Sequence, residues 1–549
     1  QYCDAAVLLE RLDRWGEQAL TRLVGDFAFV LWDAPAQRLL LARDFLGQRP
    51  LHYHCGRGFF AFASMPKGLH GLAEIPYGPD EQVVAEFLVM LPREGPRTFF
   101  RDVARVEPGH VIAVTRGGVS SRRYWHPQRP GGNRLRSSDY VEGARHYLDQ
   151  AVQSHLRGVN GAVAAHLSAG FDSSAVATTA ARLLAPRGGR VVAFTGVPRA
   201  GYDRPSLRGW FHDEGPLAAA TAAMYPNIEH VLIRSTGESP LDGLDRSLFL
   251  NEQPAPCLSG LGWVSAINRA ARERKLTVLL TGASGNMTLS YGGAELLTEL
   301  LLAGRLIRLW REATNWVKKT NSSWGGALIS TFGPFLPVWL WHWVQRRASG
   351  CVYNALDYTA IRAAYLAERN LAALARERDL DFAGRPWKDG FAMRLRVMSW
   401  IERGEMYKGL VAGWALDIRN PLADKRLVEF CLSVPTDEYL FKGIPRSLAR
   451  RALADRVPPV VLNEYKRGDQ VADWHEALTR ARPEIAVELD RVAAHGPAAK
   501  MLDIAMMKSL VDNWPISGWE NGDTKARYEW ALLCGIAAGH FLSKVSGAN

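Results

Sequence analysis

Residues 163–174 read VAAHLSAGFDSS. Residues 163–167 form an apolar run of the kind that builds a buried strand. It breaks into a small, hydroxyl-rich turn, and residues 175–185 then read as a helix. Backbone N–H groups exposed at a helix start bind anions, and small residues such as Ala169 and Gly170 let a phosphate come close to the main chain. The stretch therefore marks a phosphate site where a strand passes into a helix. It is not a Walker loop, because the GxxxxGK[ST] spacing and its lysine are absent. The competing reading is an ordinary strand–helix turn.

The surroundings extend the same pattern. A helix is predicted over 140–156, then the strand 163–167, a helix, and a strand over 191–197. Another buried strand, 276–280, runs into the turn TGASGN, and after residue 291 the chain reads as mostly helical. Helices alternating with buried strands predict an α/β fold with a doubly wound parallel sheet. Upstream, residues 23–53 alternate short apolar runs with turn signals. Two or three antiparallel strands fit there, with residues 33–37 as a hairpin loop. Further strands are expected at 59–63 and at 111–114, the latter preceded by Glu107-Pro108-Gly109. The stretch HPQRPGGNRLR at 126–136 has the composition of a linker. The expected division is a mixed α+β domain at 1–126, a linker at 127–137 and a helix-rich α/β domain at 138–549.

With 549 residues, 47% hydrophobic and 22% charged, the chain is neither disordered nor fibrous and has room for several cores. Its net charge of +11 comes mainly from scattered arginines. No basic helix or aromatic-interleaved module accompanies them, which excludes nucleic acid as the expected partner. Cys3, Cys55, Cys257, Cys351, Cys431 and Cys534 are widely spaced and form no CxxC pair. They read as reduced core thiols of a cytoplasmic protein. No signal peptide is visible, and the start at Gln1 suggests a fragment. The most apolar stretch, 324–344, lies between Lys318, Lys319, Arg346 and Arg347, but Gly325, Gly326, Gly333, Pro334, Pro337 and His342 interrupt it. A spanning helix is not expected there; a substrate-facing segment or one making weak contact with a membrane surface is.

The turn at 168–174 resembles the SGGxDS loop of ATP pyrophosphatases, which cleave ATP between its α- and β-phosphates. Ser168, Gly170, Asp172 and Ser173 match that pattern, and Ala169 replaces its second position's usual glycine. The wider chain resembles the asparagine synthetase family, in which a glutaminase-type domain precedes an adenylating synthetase domain. VGDFAFVLWD at 24–33, LARDFLGQRPLHYH at 41–54, EPGH at 107–110 and RYW at 123–125 carry the first half of that likeness. SAGFDSS, LTGASGN at 280–286, LDIRNPLADKRLVEF at 416–430 and YKRG at 465–468 carry the second, in the family's order. The resemblance implies ATP and Mg²⁺ as cofactors. The turn Leu167, Ser168, Ala169, Gly170, Asp172, Ser173 and Ser174 would hold the nucleotide together with Gly282. Leu167 and Thr195, at the ends of their strands, would make adenine-side backbone contacts, with apolar strand ends as the alternative. Lys466, in the late KxG motif, would set a positive charge against pyrophosphate or the developing oxyanion, the alternative being a solvated lysine.

Three departures from the family pattern matter. Glutamine-hydrolysing members use a cysteine after the initiator methionine, whereas QYCDAAVLL resembles an internal family block. The amidotransferase-like domain is therefore expected to be degenerate, with Cys3 incidental and Asp4 structural. In the pyrophosphate turn, Ala283 stands at the family's glutamate and Asn286 at its metal-binding aspartate. Asn286 could still offer an uncharged carbonyl oxygen, and magnesium would then lean mainly on Asp172 and on the phosphates. Related β-lactam synthetases use a tyrosine–glutamate pair, and Ala283 also replaces that tyrosine. Asp417 occupies the glutamate-like position, where it would orient or deprotonate an amine, or else pair with Arg419.

These changes, the Trp-rich segment 301–348 and the stretches GNMTLSYGG and YKRGDQVADW resemble the lasso-peptide macrolactam synthetases. That likeness implies adenylation of an Asp or Glu side chain in a precursor peptide and attack by the peptide's N-terminal amine, releasing AMP and pyrophosphate. It also implies a leader peptidase and a leader-recognition protein as companions. Glu252, in NEQPAP, would touch substrate or pack its loop. Residues 301–348 would supply an apolar wall for the peptide tail, or a core or partner-binding surface. Three alternatives stay open: amidation of a small carboxylate as in asparagine synthetase, a nonenzymatic peptide-binding scaffold, and an RNA-adenylating relative.

Overall fold

The computed structural model describes residues 3–546 apart from 130, 132, 133, 205–208, 236, 257, 321, 322, 350–353, 401 and 471. Part of the expected linker, and Cys257 and Cys351, lie outside the described residues.

The N-terminal part opens with a helix, Asp4–Trp15, and continues into two antiparallel sheets. Strands β1 (Ala28–Asp33), β2 (Arg38–Arg43), β6 (His110–Thr115) and β7 (Gly118–Arg123) form one, in the order β1-β2-β6-β7. Strands β3 (His52–Gly56), β4 (Phe59–Ala63) and β5 (Ala104–Arg105) form the other, in the order β4-β3-β5. The predicted hairpin at 33–37 is present. Asp33 pairs with Arg38, and the Ala36 N–H donates to Asp33 Oδ1 at 3.2 Å, which closes the turn. At the Glu107-Pro108-Gly109 turn, Gly109 takes φ +71°, a conformation that favours glycine.

Strand β2 is buried on both faces, and its alternation divides two cores. Leu41 packs with Leu51, Tyr53, Val106 and Ile112 between the two sheets. Leu40 and Ala42 face the other way, against Val428 and Leu432 of the C-terminal part. Beneath this contact lies a layer of buried charge. Arg43 and Arg105 both meet Glu402, while Glu405 accepts from Arg93 at 2.9 Å and lies 3.4 Å from His52. Buried ions of this kind cost several kcal/mol each unless paired, so the two parts are held in one register.

The C-terminal part is built on a five-stranded parallel sheet. Its strands are β8 (Ala162–His166), β9 (Arg190–Val197), β11 (Ile228–Arg234), β12 (Val278–Leu280) and β13 (Asp417–Arg419). They run in the order β11-β9-β8-β12-β13. From β8 the chain first adds strands on one side and later on the other, so the order reverses between β8 and β12. Ligands of open α/β sheets bind at such a switch, outside the carboxyl ends of the strands.

Helices cover both faces, as the alternating side chains require. Val163 and Ala165 pack with Leu148 and Val152 of helix Ser137–His155 and with Val176 of helix Phe171–Leu184. Ala164 faces Ile267 and Ala271 of helix Leu261–Glu273 and Tyr407 of helix Gly404–Trp414. A two-stranded parallel ribbon, β10 (Trp210–Phe211) with β14 (Arg467–Gly468), is separate from this sheet.

The expectation of core thiols needs correction. Cys431 is buried, but Cys3 and Cys55 are exposed: the first stands ahead of the opening helix, and the second alternates outward on β3. The apolar stretch at 324–344 is broken as its glycines and prolines predict. Helix Trp324–Phe332 ends in the turn Gly333–Phe335, and a second helix runs Val338–Ser349. Among the described residues no helix is long and apolar enough to cross a membrane.

Candidate functional site

A cleft of about 1190 Å³ opens at the carboxyl ends of β8 and β12, where the strand order reverses. Its floor is the turn after β8. There Gly170 is extended at φ −84° and ψ 157°, and helix Phe171–Leu184 begins with Asp172 in its first turn. Hydroxyls fold the turn onto itself. The Ser168 N–H donates to Ser173 Oγ at 2.9 Å, the Ser168 and Ser173 hydroxyls lie 2.7 Å apart, and the Gly170 N–H donates to Ser168 Oγ at 3.1 Å. Ser168, Ala169, Gly170, Asp172 and Ser173 all line the cleft. Ser174 is fully buried beneath them, and its Oγ donates to the Ser168 carbonyl at 3.4 Å. It supports the turn from below.

The turn after β12 closes over Asp172. A Cβ on Gly282 would lie 2.7 Å from the Asp172 carbonyl carbon, so only glycine lets the two turns approach this closely. Asp172 is partly exposed to the cleft, and its buried Oδ1 has no hydrogen-bond partner among the described residues. Burial raises its carboxyl to about 6, offset in part by the Ser290 hydroxyl and the Arg446 guanidinium. Asn286 lines the same cleft, its Oδ1 accepting from the Ser290 hydroxyl at 3.5 Å. An orphaned carboxylate oxygen and an amide oxygen on facing turns are the donor type a hard cation takes. The site therefore fits Mg²⁺ carried partly by phosphate oxygens. No cluster of three or more metal-ligating side chains occurs among the described residues.

Lys466 stands exposed on the rim, leading into β14. Its turn is held by Glu464, whose Oε1 accepts from the N–H groups of Tyr465 at 2.8 Å and Lys466 at 2.7 Å. Two arginines that the sequence reading passed over stand close by. Arg450 lies 4.3 Å over the Tyr465 ring and 5.0 Å over Phe171, and Arg446 faces Asp172. With Lys466 they make this side of the cleft electropositive. Their signal lay in FKGIPRSLARR at 441–451, whose arginines reach the site only through the tertiary fold.

Several expected residues are placed elsewhere. Leu167 does line the cleft, but its N–H donates to Phe194 O at 2.9 Å and its carbonyl accepts from Thr195 Oγ1 at 2.7 Å. Thr195 points away from the cleft: Phe194 and Gly196 line it, and strand alternation turns the Thr195 side chain toward His230, 2.8 Å away. Asp417 is likewise turned out, since Ile418 lines the cleft and its two neighbours on β13 face the other way. Asp417 accepts from Arg49 at 3.0 Å and from Arg419 at 2.8 Å. Burial pushes its carboxyl up, but the two arginines more than offset this and hold it below the usual carboxylate range. Glu252 is buried outside the cleft lining, at the end of helix Leu244–Asn251, where burial raises it to about 7. Asp4 pairs with Arg157 at the surface. Among the described residues of the segment 301–348, only Trp316 and Thr320 reach the cleft.

Glu214, Glu295 and Glu464 line the cleft without standing out in the sequence, and Glu214 is the most deeply buried of them. Glu214 is 6% exposed, ahead of helix Gly215–Ala222, and a Cβ on Gly468 would lie 1.8 Å from its Oε1. Burial, with Asp469 and Asp213 nearby, lifts its carboxyl to about 7. The ribbon of β10 and β14 brings it to the rim that carries Lys466. Trp210, Phe211 and Trp263 add an aromatic wall.

The sequence has relatives among known proteins. Residues 1–125 match the glutamine amidotransferase domain family and residues 143–540 match asparagine synthase. Glutamine-hydrolysing asparagine synthetase 3 of Bacillus subtilis is 23% identical over 503 residues, covering 88% of this chain and 74% of that protein. Amidase chyE of Penicillium rubens is 29% identical over 292 residues and amidase chry2 of Gibberella zeae 28% over 285. Each alignment covers 51% of this chain, which spans 41% of either amidase's length.

Proposed function

The chain belongs to the asparagine synthase family, and from that premise we propose that it forms an amide bond at the expense of ATP, closing a macrolactam in a peptide of the lasso type. The observation that carries the reading is the pairing of a phosphate turn and an orphaned carboxylate, Asp172, with a cleft of about 1190 Å³ walled by aromatic rings. That volume exceeds the usual range for a small-molecule site, as a peptide beside a nucleotide would require.

Bringing a carboxylate to the α-phosphate sets two anions together, so the site must supply positive charge and donors. The Ser168 and Ser173 hydroxyls, with the N–H groups of the first turn of helix Phe171–Leu184, would bind phosphate oxygens. Asp172 and Asn286 would hold Mg²⁺, which when bound neutralises phosphate charge. Arg446, Arg450 and Lys466 would stabilise the departing pyrophosphate. The substrate's acidic side chain attacks the α-phosphorus and pyrophosphate leaves; the N-terminal amine then attacks the acyl carbon and AMP leaves. The incoming ammonium must lose a proton, and Glu214, titrating near neutrality inside the cleft, is placed to take it at a carboxylate oxygen. The family's asparagine-forming chemistry is the second reading, and the span of the chain along asparagine synthetase 3 favours it.

Incubation with Mg²⁺-ATP and a core peptide bearing a free N-terminus separates the two. AMP release with loss of one water from the peptide, abolished in Asp172→Ala, is the expected result. AMP release only with aspartate and ammonia would replace macrolactam formation by asparagine synthesis, and no AMP release with either would leave the scaffold reading.

A further inference from the structure

Three successive helices beside the cleft leave their apolar faces uncovered. In helix Leu306–Thr320, Trp316 and Thr320 turn toward the cleft, while Leu306, Ile307 and Trp310 are 59%, 75% and 66% exposed. In helix Trp324–Phe332, the exposed Trp324, Leu328 and Phe332 recur every four residues and so share one face. The Trp310 and Trp324 rings stack with centroids 5.1 Å apart, which joins these two faces into one surface. Helix Val338–Ser349 repeats the arrangement: Trp341 is buried, its indole N–H donating to the Ala383 carbonyl at 2.7 Å, while Trp339 and Trp343, four residues apart, are exposed.

The charge that the three helices themselves carry is nearly all of one sign. Arg305, Arg311, Lys318, Lys319, Arg346 and Arg347 are all exposed in or beside it. The single acidic residue of the stretch 301–349, Glu312, is occupied by the Gly443 N–H at 2.7 Å. Contiguous exposed apolar surface on this scale marks an interaction site. Tryptophans and leucines on one face, with lysines and arginines around them and no free acid, are the make-up of helices that lie in a membrane interface.

We propose that the helices of residues 306–349 dock flat on an anionic membrane surface, with Ile307, Trp310, Trp339 and Trp343 entering the headgroup layer and the surrounding lysines and arginines meeting lipid phosphates. The Gly333–Phe335 turn breaks the chain between the second and third of these helices, so neither has to cross the bilayer. Since Trp316 and Thr320 belong to both this segment and the cleft wall, docking would set the cleft mouth near the bilayer. This inference does not depend on which amide the cleft forms.

The test is vesicle flotation of the full chain with phosphatidylcholine alone and with phosphatidylcholine containing phosphatidylglycerol. Binding to the phosphatidylglycerol vesicles is expected, with roughly tenfold or greater weakening on neutral vesicles and in high salt. Ile307→Ser with Trp339→Ser should abolish flotation while leaving the melting temperature and ATP consumption unchanged. Lys318→Glu with Arg346→Glu tests the charge separately, without touching the apolar face. Absence of flotation with either vesicle, equal binding to both, or undiminished binding by both variants would overturn the proposal. So would a soluble protein that crosslinks through Trp339 and competes with vesicles.

Discussion

Gly285 lies against the carboxylate of Asp172 so closely that a Cβ on it would fall 2.0 Å from the Asp172 Cγ. The glycine thereby decides where the buried, unpartnered Oδ1 of that carboxylate points. Gly285→Ala must displace Asp172 from its place over the phosphate turn, and overpacking of this kind costs about 1–3 kcal/mol. Misplacing a metal-holding oxygen by about an ångström costs on the order of 100-fold in rate. ATP–pyrophosphate exchange with peptide present should fall by that factor, with the protein still folded by circular dichroism. Exchange at the parent rate would remove Asp172 from the reaction.

Asp172 also stores a cost that can be measured without any ligand. Its carboxyl titrates near 6 in the folded protein against 3.8 as a free group, because burial disfavours the charge. The folded state then holds the proton more tightly between those values, so stability falls as pH rises through that window, and the full penalty applies above about 6. Asp172→Asn removes the charge. The variant should be more stable than the parent above pH 6 by up to roughly 3 kcal/mol, with the gain vanishing below pH 4, in urea denaturation without nucleotide or magnesium. It should also lose ATP–pyrophosphate exchange. A variant less stable than the parent at neutral pH would mean that the carboxylate is well solvated or paired.

The sheet was legible because local pattern and tertiary role agree there. The run around Val163–Ala165 is apolar on both faces since helices cover both, and the small turn after it is where such a sheet binds anions. The hairpin at 33–37 was legible for the same reason. Side-chain direction was not: Thr195 turns its hydroxyl toward Leu167 O and His230, and Asp417, at the amino end of β13, turns to Arg49 and Arg419. Nor were Arg446, Arg450 and Glu214, which reach the cleft from segments far apart in sequence. Glu214 arrives with the ribbon of β10 and β14, whose strands are two residues long and carry no periodicity to read.

Asp417 should behave as a structural partner. Arg49 and Arg419 hold its carboxyl below the ordinary range, so its contribution to stability is present above the unfolded value and is lost as pH falls through the folded one. The side chain is 26% exposed, which limits the effect to about 1 kcal/mol. Asp417→Asn should lower the denaturation midpoint at neutral pH and converge with the parent in strong acid. Amide formation per folded molecule should not change. Loss of ring closure with exchange intact would instead make Asp417 the proton acceptor.

Glu214 is where the second half of the reaction should be sensitive. Burial, helped by Asp469 and Asp213, puts its carboxyl at about 7, so below that pH it is mostly protonated and cannot take the ammonium's proton. As pH rises through 7 the carboxylate form takes over, and the rate of ring closure should climb and then level. Glu214→Gln cannot accept the proton at any pH, so the rising limb should disappear and ring closure should slow by about 10²–10⁴, the usual worth of a general base. The phosphate turn, Asp172 and the arginines are untouched by that substitution, so ATP–pyrophosphate exchange should continue near the parent rate. Single-turnover mixing of the adenylated peptide over a pH series, beside the exchange assay, separates the two steps. A Glu214→Gln enzyme that closes rings at the parent rate, or loses exchange in equal measure, would take Glu214 out of that role.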